Sequence, residues 1–350
     1  MTASSTRPVP APCAPRTTEA HTPAAAPDPT TPCAPSYHRL TGLTPTLSVR
    51  CAPPPSGDGW LTAADLAERP AAVRDLVAVD ARQGLARYGR PLRPDVAAGF
   101  GLHRAVWPLS LLFTVPWFLE RRVPLLGPGD VALRRGNAAV ELTVRPAAFV
   151  CLPDDPAAAS PATAPAARTA AVRTVAVRTA PDETALAAEL RCALGAFLDP
   201  LLAAFRPQVR RGPRVLWAMA TDAVVEGLCY AGGLLGEPER ARAELSALLA
   251  PDDRAPTDPA PADRAPAGRA PAGPTPAHAP GAPGRPAPAP APFTPGAGFA
   301  TPAPGRGGAP GAPSGGGAPD ATARARASCC LVYTAAPEDM CAGCPRVTRG

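Results

Sequence analysis

Proline decides where this chain can build regular structure, because it has no backbone N–H and its ring clashes with the preceding helical turn. The prolines are unevenly spread: 29 of the 52 fall within residues 1–36 and 251–319. Those stretches are otherwise Ala-, Thr- and Gly-rich, and they bury too little apolar surface to offset the entropy of ordering. The reading is therefore a disordered N-terminus over 1–36, a folded body over 37–250, a Pro/Ala/Gly-rich linker or insertion over 251–319, and a distinct C-terminal segment over 320–350. About 245 of the 350 residues lie outside the two proline-rich stretches, enough for one sizeable core.

The chain has no Lys, no Ile and a single Asn, Asn137, as GC-rich codon usage favours. All 35 basic residues are Arg, and the net charge of +6 is spread thinly. Without an arginine block interleaved with aromatics, the chain carries no nucleic-acid footprint. Met1 to Pro10 has no apolar stretch of signal-peptide kind. The longest apolar run, Ala105 to Leu119, is interrupted by Pro108 and Pro116 and falls short of a transmembrane segment. The expected location is cytoplasmic, with a peripheral position at the inner face of the membrane left open. There the ten cysteines are expected to be reduced or metal-bound rather than paired.

The fold class expected is α+β, a mainly helical body with a small antiparallel sheet. Order is expected to start at Tyr37. Thr62 is a plausible N-cap for a helix that Pro70 interrupts, and Pro94 to Leu112 reads as one or two helices broken before Pro108. Asp130–Arg135 and Ala139–Val144 flank the hairpin dipeptide Gly136-Asn137, and Thr169–Thr179 alternates as a third strand. An Ala/Pro insertion over Pro153–Ala167 separates them. Asp182–Phe205 carries an amphipathic leucine stripe that can bend at Pro200. Arg214–Leu235 and Pro238–Leu249 follow as helices.

The chemistry sits at the C-terminus. Cys329, Cys330, Cys341 and Cys344 form the pattern C-C-x10-C-x2-C within 16 residues. Thiolates are soft ligands suited to zinc or to iron–sulfur clusters. In the C-x2-C half, Gly343 helps turn the chain so that both sulfurs converge, and Pro345 suits a cluster loop. Adjacent cysteines diverge, so Cys329 and Cys330 do not readily chelate one tetrahedral zinc, whereas a 2Fe-2S cluster offers two metal centres to share among four thiolates. Iron–sulfur is thus the preferred reading and zinc the alternative.

This tail is similar to the C-terminal signature of the FhuF-type ferric-siderophore reductases. Other segments resemble high-GC bacterial members of that family: Ser56-Gly-Asp-Gly-Trp60, Phe100-Gly-Leu-His103, Val115-Pro-Trp-Phe-Leu119, Arg121-Arg-Val-Pro124, Cys151-Leu-Pro-Asp-Asp155, Leu216-Trp-Ala-Met-Ala-Thr-Asp222 with Glu226-Gly227, and Gly296-Ala-Gly-Phe299. The resemblance covers about Tyr37–Leu249 and Phe293 onward. It implies a 2Fe-2S cluster on Cys329, Cys330, Cys341 and Cys344, with no catalytic acid or base. It also implies one-electron reduction of a ferric siderophore to release Fe(II). The sequence has no dinucleotide fingerprint, since Gly305-Arg-Gly-Gly308 lies in low-complexity sequence. An external donor is therefore expected, a ferredoxin or an NAD(P)H-flavin reductase. A non-enzymatic iron-sensing or binding protein, with cluster or zinc, is the alternative function.

Arg210, Arg211, Trp217 and Asp222 are the expected substrate contacts. The cluster of Arg206, Arg210, Arg211 and Arg214 between two helices suits an anionic ferric complex or an acidic donor, although a solvated loop is the plainer reading. Asp222 and Glu226, one helical turn apart, share a face that lines a substrate cleft or pairs with arginines. His103 is read as structural, with substrate contact the alternative, Cys51, Cys151, Cys192 and Cys229 as small buried hydrophobes, and Cys13 and Cys33 as idle in disordered sequence.

Overall fold

The computed structural model describes residues 32–136, 139–158, 175–250, 289–293, 298–299 and 324–336. The expected disorder over 1–31, the turn residue Asn137, residues 159–167 of the Ala/Pro insertion, the strand start at 169–174 and most of the 251–319 tract lie outside the described residues. So do Cys341 and Cys344.

Order begins earlier than Tyr37. Helix α1 (Ala34–Leu43) starts with a proline in its first turn, a position where the missing N–H costs nothing. Its capping residue Cys33 is fully buried in the left-handed conformation, with φ 61°. Burial pushes the Cys33 thiol well above its ordinary pKa, and the neighbouring Glu120 carboxylate adds to this, so it stays protonated. Cys33 is thus a core residue, not part of an idle tail. Ser36 donates to Glu120 from both its backbone N–H and its hydroxyl, tying the start of α1 to the end of helix α4 (Pro94–Glu120).

Strand β1 (Leu47–Cys51) and the short β2 (Leu61–Thr62) precede helices α2 (Ala63–Glu68) and α3 (Pro70–Tyr88). Thr62 caps α2 as expected: its hydroxyl accepts from the Asp65 N–H at 2.9 Å while Asp65 Oδ2 accepts from the Thr62 N–H at 2.9 Å. Strands β3 (Arg122–Leu125), β4 (Val131–Arg135), β5 (Val140–Val144), β6 (Ala148–Cys151) and β7 (Ala176–Thr179) follow. Helices α5 (Glu183–Val209), α6 (Pro213–Leu234) and α7 (Pro238–Leu249) complete the body.

The sheets are mixed rather than antiparallel. In the first, ordered β1-β5-β4-β2, the β4–β5 hairpin is antiparallel, but β1 runs parallel to β5, with Leu47 opposite Val140. In the second, ordered β3-β6-β7, β6 pairs antiparallel with β3 and parallel with β7. Each parallel partner arrives after a long excursion of chain, a connection that alternation in sequence cannot announce.

Helix α4 is the axis of the core. It does not break before Pro108: both Pro108 and Pro116 lie inside one 27-residue helix, 19 of whose residues are buried. A helix apolar all round belongs inside a protein. Among the described residues it is the one helix long and apolar enough to cross a membrane, and 78% of its most apolar window is buried here. The cost of Pro116 is visible and met. Proline at that position leaves the Leu112 carbonyl without its helical donor, and the buried Tyr37 hydroxyl donates to it at 2.9 Å. Burial pushes the Tyr37 phenol well above its ordinary pKa, so it remains a donor. Tyr37→Phe is expected to cost about 1–3 kcal/mol, the penalty of a buried unsatisfied carbonyl, read from chemical denaturation.

Beyond α7 the chain returns at Ala289–Phe293. The Ala291 N–H donates to the Arg191 carbonyl at 2.9 Å, and the Phe293 and Trp217 rings meet edge to face with their centroids 6.5 Å apart. Residues 289–293 of the expected linker or insertion thus pack against the body. Gly195 on α5 makes this approach possible, because an added Cβ would lie 2.8 Å from both Ala289 O and Ala291 N. Strands β8 (Gly298–Phe299) and β9 (Arg324–Ala325) then pair antiparallel.

Candidate cluster segment and adjoining cleft

Strand β9 delivers the tail onto α6. Asp222 and Glu226 share one face of that helix, as their spacing requires, and both take hold of it. Asp222 Oδ1 accepts from the Ala327 N–H at 2.9 Å, and Oδ2 accepts from the Ser328 N–H at 2.9 Å and its hydroxyl at 2.5 Å. Glu226 lies 3.5 Å from the Arg326 guanidinium and 3.5 Å from His103 Nε2. Cys329 and Cys330 come next, half-buried and not disulfide-bonded. Leu331 then adopts a left-handed conformation, φ 60°, and a single 3-10 turn runs over Val332–Thr334. Thr334 closes that turn by donating its hydroxyl to the Leu331 carbonyl at 2.8 Å. The far end is anchored separately. Ala335 is buried against Leu92, Val96 and Ala97, and the Arg90 guanidinium donates to its carbonyl. The cysteine pair is thus held between a polar clamp and an apolar dock.

Cys330 opens on a cleft of about 670 Å³ between the tail, the end of α3, and helices α4 and α6. Arg87, His103, Arg104 and Arg326 supply its donors, and Tyr88 and Phe100 its aromatic wall. Arg104 is fixed from behind: it pairs with Asp80, donates to Gln83 Oε1 at 2.8 Å, and lies 5.7 Å over the Phe100 ring. Asp80 is itself fully buried and takes two further hydrogen bonds from Arg135, at 2.8 and 2.9 Å. His103 and Arg104 also border a second cavity of about 290 Å³, so they form the partition between the two spaces.

The expected substrate contacts divide. Asp222 borders the cleft, but its carboxylate holds the tail. Arg210, Arg211 and Trp217 are not among the lining residues. Arg210 caps α5 in the left-handed conformation, and Arg211 lies 3.7 Å from Asp95. Trp217 is buried and donates from Nε1 to Asp199 at 3.3 Å. The cleft is lined instead by Arg87, Arg104 and Arg326, none of them anticipated from the sequence. His103, read as structural, faces the cleft. Among the other cysteines, Cys151 is buried as expected, with its pKa raised by burial and then by Asp155, while Cys51, Cys192 and Cys229 are half-buried.

Body and tail together define a class: a mainly helical protein that docks a segment bearing two adjacent cysteines beside an open cleft. Residues 326–346 match the family model described as the FhuF 2Fe-2S C-terminal domain, a stretch that takes in all four cysteines. The chain therefore carries a FhuF-type C-terminal domain, and its cofactor is a 2Fe-2S cluster. No curated protein and no solved structure matches the chain. The described part of the tail fits that cofactor, since Cys329 and Cys330 are adjacent, partly accessible soft donors on a segment secured on both sides. Among the described residues no three metal ligands come together, the other two cysteines lying outside them.

Proposed function

We propose that this protein is a cytoplasmic ferric-siderophore reductase, transferring one electron to the ferric complex so that Fe(II) is released. The observation that carries the reading is the opening of Cys330, one of the four cysteines in the matched segment, directly onto the cleft. Siderophores hold Fe(III) through hard oxygen donors and hold Fe(II) far more weakly, so a single electron frees the metal. The cluster, when bound, supplies a one-electron carrier. The chain's own part is to receive and orient the complex. Arg87, Arg104 and Arg326 offer guanidinium donors to the oxygen-rich periphery of a chelate, and Tyr88 and Phe100 offer a flat apolar wall. Arg104 is pre-positioned by Asp80 and Gln83, so little side-chain entropy is lost when a ligand binds it. Electrons come from an external ferredoxin or NAD(P)H-flavin reductase.

The test is to reduce the holoprotein anaerobically and mix it with ferric hydroxamate under stopped flow. Recovery of the oxidised visible spectrum together with appearance of Fe(II) is the expected result. A reduced cluster that no ferric siderophore reoxidises would sink the reading and favour an iron-sensing role. Narrowing the cleft provides a second check. Met219→Trp adds bulk to its α6 wall and is expected to raise KM for the ferric complex about tenfold, equivalent to ~1.4 kcal/mol of binding, with an unchanged cluster spectrum.

A further inference from the structure

We propose that Asp222 is the positioning residue of the cluster segment and a determinant of the cluster's reduction potential. The inference rests on the cofactor and not on the identity of the oxidant. Asp222 is 2% exposed, and three donors from the tail converge on its carboxylate. These donors belong to Ala327 and Ser328, the two residues immediately before the cysteine pair, so the carboxylate fixes where the chain presents Cys329 and Cys330. A neutral acceptor would serve for holding alone. The choice of a buried anion has two further effects, both in one direction.

The first is charge. A 2Fe-2S centre on four thiolates is already anionic, and adding an electron beside a shielded carboxylate costs more than adding it beside a neutral group. The second is the destination of the amides. N–H groups that donate to cluster sulfurs raise the potential, and the Ala327 and Ser328 N–H groups are instead committed to Asp222. Both effects lower the potential, making the reduced cluster a stronger donor.

The decisive experiment is a dye-mediated anaerobic potentiometric titration of the Asp222→Asn holoprotein, with amide exchange followed at residues 327–330. No ferric complex is used, so failure here is distinct from failure of the reductase reading. The expected result is a loaded cluster whose midpoint potential shifts upward. A folded but colourless Asp222→Asn protein, showing lost protection at Ala327 and Ser328, also supports positioning. A loaded variant with the wild-type potential overturns the proposal, whatever the exchange shows. If Asp222→Asn does not fold, Ser328→Ala decides the matter by removing one hydroxyl from the half-exposed tail. Faster exchange at 327–330 and faster cluster loss to a chelator support the proposal, and wild-type rates for both overturn it.

Discussion

Cys330→Ser is expected to abolish the visible absorption of the cluster and to reduce ferric-chelate turnover to background, while the thermal transition of the helical body stays where it is. Serine is nearly isosteric, but its hydroxyl stays protonated at neutral pH and is a hard, poor ligand where a soft thiolate is needed. With Cys330 as one of four thiolate ligands, its loss would leave an iron under-coordinated. The stability of the body should be indifferent, because its main core gathers around α4 and α5, and Cys330 sits half-exposed at the cleft edge. Cys229→Ser provides the contrast: this residue packs against the main core on α6, so the variant should keep its colour. A Cys330→Ser protein with an intact spectrum would remove Cys330 from the ligand set.

Asp80→Ala is expected to lower the unfolding free energy by about 3–5 kcal/mol in a denaturant titration, the range for breaking a buried ion pair from one side. The carboxylate is fully buried on α3 and joins two other elements, receiving Arg135 from β4 and Arg104 from α4. The Arg135 side chain is only 7% exposed, so removing its partner strands a cation with little access to water. Arg104 is more exposed and can turn to solvent. The loss should therefore appear in stability through Arg135 and in ferric-complex KM through Arg104. A change under 1 kcal/mol would show that water or another acidic group replaces Asp80.

Where the determinant is local, the sequence is a good guide. Thr62 and Asp65 announce the α2 cap, and Pro238 with the following stripe marks α7 over the same residues that form it. Where a distant partner decides, it is not. Nothing near Pro116 shows that a tyrosine 79 positions earlier will serve the Leu112 carbonyl it orphans, and nothing near Pro108 shows that the helix runs on through it. Parallel pairing of β1 with β5 is hidden for the same reason, since alternation gives the faces of a strand and not its direction.

The site divides on the same principle. The four-cysteine pattern is local and legible. The cleft is assembled from α3, α4, α6 and the tail, and its arginines are scattered among many similar ones. Trp217 and Asp222 share the family-like segment Leu216-Trp-Ala-Met-Ala-Thr-Asp222, but five residues of helix turn about 500°, leaving them about 140° apart around α6. One Trp217 partner is Phe293 and Asp222 meets Ser328. A usable signal did exist for Asp80. It falls on the stripe Val73, Leu76, Asp80, Gly84 of α3, where a charge among apolar positions asks for a buried partner.

Arg191 gives the proline-rich tract a different meaning. Its guanidinium donates to the Leu248 carbonyl at the end of α7, and its own carbonyl accepts from Ala291 at the chain's return. Departure and return are thus tied at a single residue, by contacts distinct from those that Asp222 makes with Ala327 and Ser328. Closing a longer excursion costs little, about 0.6 kcal/mol for each doubling of its length. A change in the number of residues between Leu248 and Ala291 is then expected to leave the Arg191 junction, and the hold of Asp222 on Ala327 and Ser328, where they are.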